Sequence, residues 1–373
     1  MRDWKKAPRD GASRNENKLS QPLKEHKVFN NHKVLSQGWY PLVSSNKLKK
    51  GQAQSFKLLD QRLALYRGQD NKVRAMDAFC PHMGADLGNG EVIDNKLRCY
   101  FHQWEFNGDG KVHKVPALEK PPCGVEVQSY PVEEKYGQVW VFSGPEADHD
   151  VPVAPGLEEA DADALYVKEI TLFAHHHVLM AGGIDLNHFA TVHNLDMEFN
   201  FDVVEDGSEF IWELEGDLPD SGFKAKLGKW FLGSKFRYQM KFSGGSVTAI
   251  TYGYNQRFKG VGRLLPSLHI LWGAIPQESG VSKVKIFLLT KKRSGLLGKL
   301  KNFALYLSTF GLLTILRDED AKAFPNMRFQ TGHLVKGDES VARLVQCINK
   351  LPVSPWYKEN DSKKDQKQVE VWN

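Results

Sequence analysis

Cys80-Pro81-His82 and, sixteen residues on, Cys99-Tyr100-Phe101-His102 decide how this chain is read. Each half supplies one thiol and one imidazole, closely spaced in text rich in Gly and Pro. Two thiolates can hold one iron of a [2Fe–2S] cluster and two imidazoles the other. That mixed set raises the reduction potential above that of an all-Cys cluster. The rival reading is a Cys2His2 zinc site. Zinc fingers usually separate two Cys from two His, whereas here each half contains one of each, which favours the iron–sulfur cluster.

Around this motif, from about Trp39 to Gly144, short β-branched or aromatic runs are cut by turn signals. Leu63-Ala64-Leu65-Tyr66 precedes Arg67-Gly68, and Gln138-Val139-Trp140-Val141-Phe142 precedes Ser143-Gly144-Pro145. Short antiparallel strands carrying two ligand loops predict a small β-sandwich. After a proline-containing acidic linker, Gly144 to Gly156, the pattern changes. Runs such as Phe210–Leu214 and Val284–Leu289 alternate with helical stretches, which predicts an α+β domain with an antiparallel sheet flanked by helices. At 373 residues the chain suits two domains. The expected division is a disordered basic arm at 1–35, a cluster domain at 36–150, a second domain at 151–360 and a mobile tail at 361–373.

Charge sits unevenly. Residues 1–50 carry twelve Lys and Arg against four Asp and Glu, a net +8 that leaves the remainder at −3. A nucleic-acid surface needs a basic stripe with interleaved aromatics or a known reader motif, and neither is present, so nucleic acid is not an expected partner. Two of the four cysteines, Cys80 and Cys99, are spoken for. Cys123 and Cys347 read as buried small side chains, and a disulfide scaffold is not expected. A reducing, cytoplasmic setting is therefore the default, as no secretory h-region is seen in the first thirty residues. The longest uncharged apolar stretch, Phe303–Leu316, is too short to cross a bilayer, which needs about 20 residues. It reads as a buried or subunit-contact helix. An interfacial membrane helix is the less favoured alternative, suggested by Lys291, Lys292, Arg293, Lys299 and Lys301 just upstream.

A second constellation is Asp185-Leu186-Asn187-His188-Phe189-Ala190-Thr191-Val192-His193. Two His and a carboxylate can build most of a 2-His-1-carboxylate iron face. On an ideal helix, however, His188 and His193 lie about 140° apart at ~100° per residue. Meeting at one metal requires a distorted helix, for which a π-bulge is the usual device. The alternative is a helix with two unrelated imidazoles. The presence of a one-electron centre favours iron, because a donor implies an acceptor and O2 chemistry at iron is the natural one.

With both motifs in hand, the chain resembles the catalytic α subunit of a Rieske non-heme iron oxygenase over about residues 36–350. Trp39-Tyr40-Pro41 and Tyr136-Gly137-Gln138-Val139-Trp140 are similar to family text as well. The resemblance implies that Cys80, His82, Cys99 and His102 bind the Rieske cluster and that His188 and His193 bind a mononuclear Fe(II). It implies a third ligand among Arg317-Asp318-Glu319-Asp320, with Asp320 first and Asp318 in reserve, and an electron-relay role for Asp185. It further implies O2 as co-substrate and hydroxylation, demethylation or desaturation of a hydrophobic small molecule. Electrons originate from NAD(P)H through a separate ferredoxin or flavin reductase, since no G-x-G-x-x-G fingerprint is found in the chain. A homo-oligomer, commonly a trimer or hexamer, completes the expectation. The alternative is a non-enzymatic Rieske electron carrier or redox sensor, which needs neither the second motif nor about 200 further residues.

The chain departs from the family at Tyr100 and Gln103, where the second loop commonly reads Cys-Pro-Tyr/Trp-His-Gly-Trp, and at Gly182-Gly183, where Glu-Asn is usual. His175-His176-His177 reads as strand, with at most two side chains facing inward, and a structural or substrate-facing role is expected rather than a third metal. His113 reads as a surface residue. The aromatic residues of 199–272 (Phe201, Phe210, Trp212, Trp230, Phe231, Phe236, Tyr238, Tyr252, Tyr254 and Trp272 among them) are expected to build the core and part of a substrate pocket.

Overall fold

In the computed structural model the described residues are 26–193, 199–218, 235–253, 267–277, 280–320, 323, 324, 327 and 329–356. The N-terminal domain consists of short strands, as its turn-punctuated text requires. β2 (Ala53–Leu58), β3 (Gln61–Arg67), β4 (Val73–Asp77) and β9 (Ser129–Tyr130) make one four-stranded sheet. β5 (Glu91–Ile93), β6 (Lys96–Arg98), β7 (Glu105–Phe106) and β8 (Val112–Lys114) make another. β1 (Trp39–Ser44) pairs with β11 (Gln138–Phe142), which pairs with β10 (Val132–Lys135). The two stretches similar to family text thus meet as one antiparallel ladder, Tyr40 opposite Val141.

The second domain is a seven-stranded antiparallel sheet. Its strands are β12 (Ala162–Leu172), β13 (Phe199–Asp206), β14 (Glu209–Asp217), β15 (Lys235–Ser243), β16 (Val247–Tyr252), β17 (Leu268–Pro276) and β18 (Ser282–Lys291). The spatial order is β12-β18-β17-β16-β15-β14-β13. β12 therefore joins the sheet at the far side from its chain neighbour β13. The crossover between them carries α1 (His176–Gly182) and α2 (Leu186–Thr191). α3 (Gly295–Asp320) and α4 (Glu339–Lys350) follow the last strand. Strands and helices are segregated rather than alternating, and the class remains α+β.

The central strands β16, β17 and β18 are buried on both faces, which explains the nearly continuous apolar text of Val284–Leu289, broken only by Lys285. Ile250, Ile270, Trp272, Ile286 and Leu288 point to the core beneath the helices. Their neighbours Val247, Ala249, Leu271, Phe287 and Leu289 pack against Trp39, Trp140 and Phe142 of the first domain. A Cβ at Gly273 would come within 2.9 Å of the Trp140 indole, so a side chain there would push the two domains apart.

Three expectations are corrected here. The arm does not extend to residue 35. Val28 and Phe29 are fully buried in the second domain's core, and both their amides donate to Asn349 Oδ1 on α4 at 3.0 Å. Two adjacent apolar residues suffice to dock the segment; residues 1–25 and the expected tail lie outside the described residues. Phe303–Leu316, expected as a buried or subunit-contact helix, is part of the 26-residue α3 and is not buried within this chain on every side. One side, with Asn302, Leu305 and Thr309, is buried, whereas Leu300, Phe303, Leu307 and Phe310 are exposed. Cys123 is exposed; Cys347 is buried as expected, and all four cysteines are free. Among the described residues no helix is long and apolar enough to cross a membrane.

Candidate metal centres

The first centre is built from two copies of one turn. After β4 the Cys80 carbonyl accepts from Gly84 N at 2.8 Å, and after β6 the Cys99 carbonyl accepts from Gln103 N at 3.0 Å. Each turn closes with a left-handed residue, Gly84 at φ 75° and Gln103 at φ 57°. The cysteines then point inward and the histidines outward. Cys80 and Cys99 are buried among Leu87, Leu97 and Phe106. The rings of His82 and His102 meet edge to face with centroids 4.6 Å apart, and His82 stacks on Trp104 at 4.8 Å. Burial, together with the Cys99 thiol alongside, pushes the Cys80 thiol up to about 11. Cys80 needs a bound cation to stand as a thiolate at neutral pH. Two buried thiols behind two paired imidazoles fit a [2Fe–2S] group with two nitrogen ligands. The tip is rimmed by exposed apolar side chains, Phe79, Met83, Tyr100 and Phe101.

The second centre forms where the crossover helices meet the end of α3. Asp185 caps α2, its Oδ1 accepting from His188 N at 3.0 Å. The expected π-bulge is not what brings the histidines together. α2 simply ends at Thr191, Val192 N closes the last turn on His188 O, and His193 lies just beyond. Release from the helix frees the His193 ring to stand at right angles to that of His188, 4.8 Å between centroids. Asp320 Oδ1 lies 2.9 Å from His188 Nε2 and 3.4 Å from His193 Nε2. One atom from each of the three residues falls within 4.8 Å of the others. Asp318 is turned away, exposed and paired with Arg317.

Glu319, unassigned in the sequence reading, places Oε2 2.7 Å from His193 Nδ1. That carboxylate holds the proton on Nδ1 and leaves Nε2 free to face Asp320. The only hint in the sequence is its position immediately before the expected ligand. Asp318, Glu319 and Asp320 also sit at the negative end of a helix dipole, an unfavourable place for three acids. A bound cation offsets that cost, so the donor set and its setting fit a divalent iron.

Glycines bring the walls of this site close. A Cβ at Gly182 would lie 2.4 Å from the Phe324 ring, and one at Gly183 2.3 Å from Met240 Cε. Phe324 in turn stacks on His188 at 5.4 Å. The Tyr238 hydroxyl donates to Gly183 O at 2.9 Å, and burial with Tyr252 and Asp320 nearby raises its pKa well above the ordinary range. Phe210, Trp212 and Trp272 are core residues, as expected. Trp230, Phe231 and Tyr254 lie outside the described residues.

His175-His176-His177 departs from the strand expectation. His175 is the N-cap of α1 and the other two begin it, so all three rings are buried. Their nitrogens also approach within 4.8 Å, but hydrogen bonds occupy most of them. Asn30 N donates to His177 Nδ1 at 2.9 Å, His177 N donates to His175 Nδ1, and the Nε2 atoms of His176 and His177 both contact Gly245 O. The cluster ties segment 26–32 and the β15–β16 turn to α1, the structural role expected. His113 is exposed, as expected.

Known proteins share parts of this sequence and its fold. Residues 38–131 match the Rieske [2Fe-2S] domain. The chain is 32% identical over 161 residues to cholesterol 7-desaturase nvd of Bombyx mori, covering 42% of this chain and 35% of that protein. It is 26% identical over 204 residues to the oxygenase component of 3-ketosteroid-9-alpha-monooxygenase of Rhodococcus rhodochrous, 52% of each. The chain thus spans from about a third to half the length of these curated relatives. Among solved structures, Pseudomonas putida CBB5 NdmB superposes with a TM-score of 0.61 at 17% identity, over 88% of this chain and 93% of that one. Dicamba monooxygenase bound to dicamba gives 0.53 at 19% identity, over 87% and 98%. The domain match, the relatives and the shared fold together bear out the resemblance to Rieske non-heme iron oxygenase catalytic subunits.

Proposed function

We propose that this chain, a Rieske domain joined to a sheet with a two-histidine, one-carboxylate site, is the terminal component of an oxygenase. The observation that carries the reading is the convergence of His188, His193 and Asp320 from two separate elements on one point. An electron carrier has no use for such a site. When loaded, the two groups would supply one-electron storage at the Rieske end and O2 activation at the mononuclear end.

The protein's own contribution is placement. Cys80 and Cys99, buried, and His82 and His102, exposed, would hold the cluster. His188, His193 and Asp320 would hold the iron, which would supply O2 activation beside the substrate. Glu319 fixes the tautomer of His193. Phe189, Phe324 and Tyr238 keep water from the histidines. Asp185, half-buried at the start of α2, is the relay toward a cluster histidine of a neighbouring copy. The exposed apolar rim at Phe79, Met83, Tyr100 and Phe101 supports such a homo-oligomer, or docking of the electron donor, since a patch of this kind marks a contact site. The expected donor is a separate ferredoxin or flavin reductase, and the substrate a lipophilic small molecule of sterol or terpenoid type. The free cysteines suit a reducing compartment, the cytoplasm.

Metal analysis tests the reading. The purified protein is expected to hold about three irons per chain, two in the cluster and one mononuclear. Asp320→Ala should lower this to about two while leaving the Rieske spectrum intact. Two irons in the wild type, with no substrate-dependent O2 uptake across sterol, terpenoid and aromatic panels, would return the chain to the carrier class.

A further inference from the structure

We propose that the N-terminal half of α3 is a membrane-docking surface that seats this protein on an anionic lipid bilayer. The inference stands apart from the oxygenase reading and needs neither metal. α3 carries large apolar side chains on more than the side that packs on the sheet, more than a helix covered on one side needs. Here only one side is covered, by β17 and β18. The other presents Leu296 at 84% exposure, Leu297 at 83%, Leu300 at 61%, Phe303 at 59% and Leu307 at 56%. The spacing 296, 300, 303, 307 keeps four of these on one continuous stripe. Apolar side chains this large and this contiguous are not left facing water without a use.

The charge pattern selects the occupant. From Lys291 to Arg317 the chain carries six basic residues and no acidic one. Lys299 and Lys301 are exposed between the leucines; just before them Lys291 is exposed but paired with Asp161 at 3.0 Å, and Lys292 donates to Ala160 O at 3.2 Å. Lysines are depleted from the cores of protein–protein interfaces. At a bilayer the same interleaving is favourable: the aliphatic stems lie along the apolar layer while the ammonium groups reach anionic headgroups. The helix lies on the surface rather than across the bilayer. Its 26 residues span about 39 Å, but one face is committed to the sheet and its last residue to the histidine site. Leucines that enter the acyl boundary, backed by adjacent cations, are the two signals that peripheral binding requires.

Flotation of the full-length protein with vesicles tests this. The wild type is expected to float with phosphatidylcholine–phosphatidylglycerol vesicles, to bind pure phosphatidylcholine more weakly, and to detach as salt rises. The triple variant Leu296→Ser, Leu297→Ser, Leu300→Ser should bind anionic vesicles at least about tenfold more weakly, with circular dichroism and Rieske absorption unchanged. Lys299→Gln with Lys301→Gln removes only charge and should weaken anionic binding severalfold, which keeps the test open if the triple variant folds poorly. Wild-type protein that fails to float with either vesicle overturns the proposal. So does vesicle binding that is unchanged in both variants. A triple variant that instead dissociates into smaller species by sedimentation, with vesicle binding intact, would show the face to be a contact between copies.

Discussion

Gln103 at φ 57° stands where Gly84 stands in the twin turn at φ 75°. Both close the loop by donating to a ligand cysteine's carbonyl, but only glycine enters the left-handed region without steric cost, which for other residues is about 1–2 kcal/mol. Part of the gain from restoring glycine is returned as extra freedom in the unfolded chain. Gln103→Gly is therefore expected to stabilise the protein by up to about 1 kcal/mol, read as a higher melting temperature with the Rieske spectrum retained. Asp185 permits a cleaner separation of roles. Asn caps a helix as well as Asp, so a purely structural Asp185 predicts that Asp185→Asn changes nothing. If the carboxylate is the relay, the same variant keeps both metals and loses turnover by about 100-fold; unchanged product formation would remove Asp185 from the mechanism. At this scale the sequence was most legible where chemistry restricts residue type. The cluster motif names its candidate ligands by residue type and spacing, and Asp320 was preferred to Asp318 on resemblance; Asp320 Oδ1 lies 2.9 Å from His188 Nε2. Glu319 was not legible, because an acid whose task is to face a histidine ring nitrogen has no signature beyond proximity to the ligand.

Among the elements, α1 and α2 show what periodicity cannot supply. The spacing of His188 and His193 demanded a break in helix geometry, and the chain provides one by stopping the helix. Ending a helix leaves its last carbonyls to find other partners, whereas a π-bulge shifts a bond to i→i+5, and the sequence between the histidines does not distinguish the two. The three histidines of α1 were misread as strand because nothing in His175-His176-His177 reveals that the first is a cap. Their burial has a pH consequence. Desolvation lowers His176 to about 4 and holds His175 and His177 well below the ordinary value, with help from neighbouring imidazoles. Burial also lowers His269 to about 4. The folded state keeps these rings neutral while the unfolded chain takes up protons below about pH 6.5. The unfolded state then binds more protons, so stability is lost as pH falls from about 6.5 toward 4, on the order of 3 kcal/mol each for His176 and His269 at the low end. Denaturant unfolding near pH 5 should show net proton uptake, with His176 and His269 contributing nearly one proton each. His269→Asn should flatten the slope by about one proton; an unaltered slope would mean that the ring is charged in the fold.

For the whole molecule, the legible part was the division into a strand-rich cluster domain and an α+β domain, since turn density and run length change near Gly144. The seven-stranded order was not legible. β12 and β18 are over a hundred residues apart, and runs buried on both faces lack the alternation that assigns a strand to an edge or a face. The join between the domains was hidden as well, because Gly273 reads as an ordinary glycine until Trp140 is seen against it. Lys285 belongs to this join. It lies on β18 and crosses to the first domain, donating to Gln138 Oε1 at 2.9 Å and to Leu42 O at 3.2 Å. Burial lowers its pKa to about 8, against about 10.4 in the unfolded chain. For a lysine the depressed value means that the folded state resists the charge: the penalty is present in full below about pH 8 and is lifted as pH rises toward 10.4. Lys285→Met carries no such penalty but leaves both oxygen acceptors unpaired at every pH. The wild type should therefore gain stability relative to Lys285→Met between about pH 7 and about pH 10, by up to on the order of 3 kcal/mol. Taking the difference between the two proteins cancels the titration of tyrosines common to both. A difference that stays constant across that range in paired denaturation curves would show that the ammonium is held charged in the fold, with the two domains joined by an ion–dipole contact rather than by a lysine on the point of losing its proton.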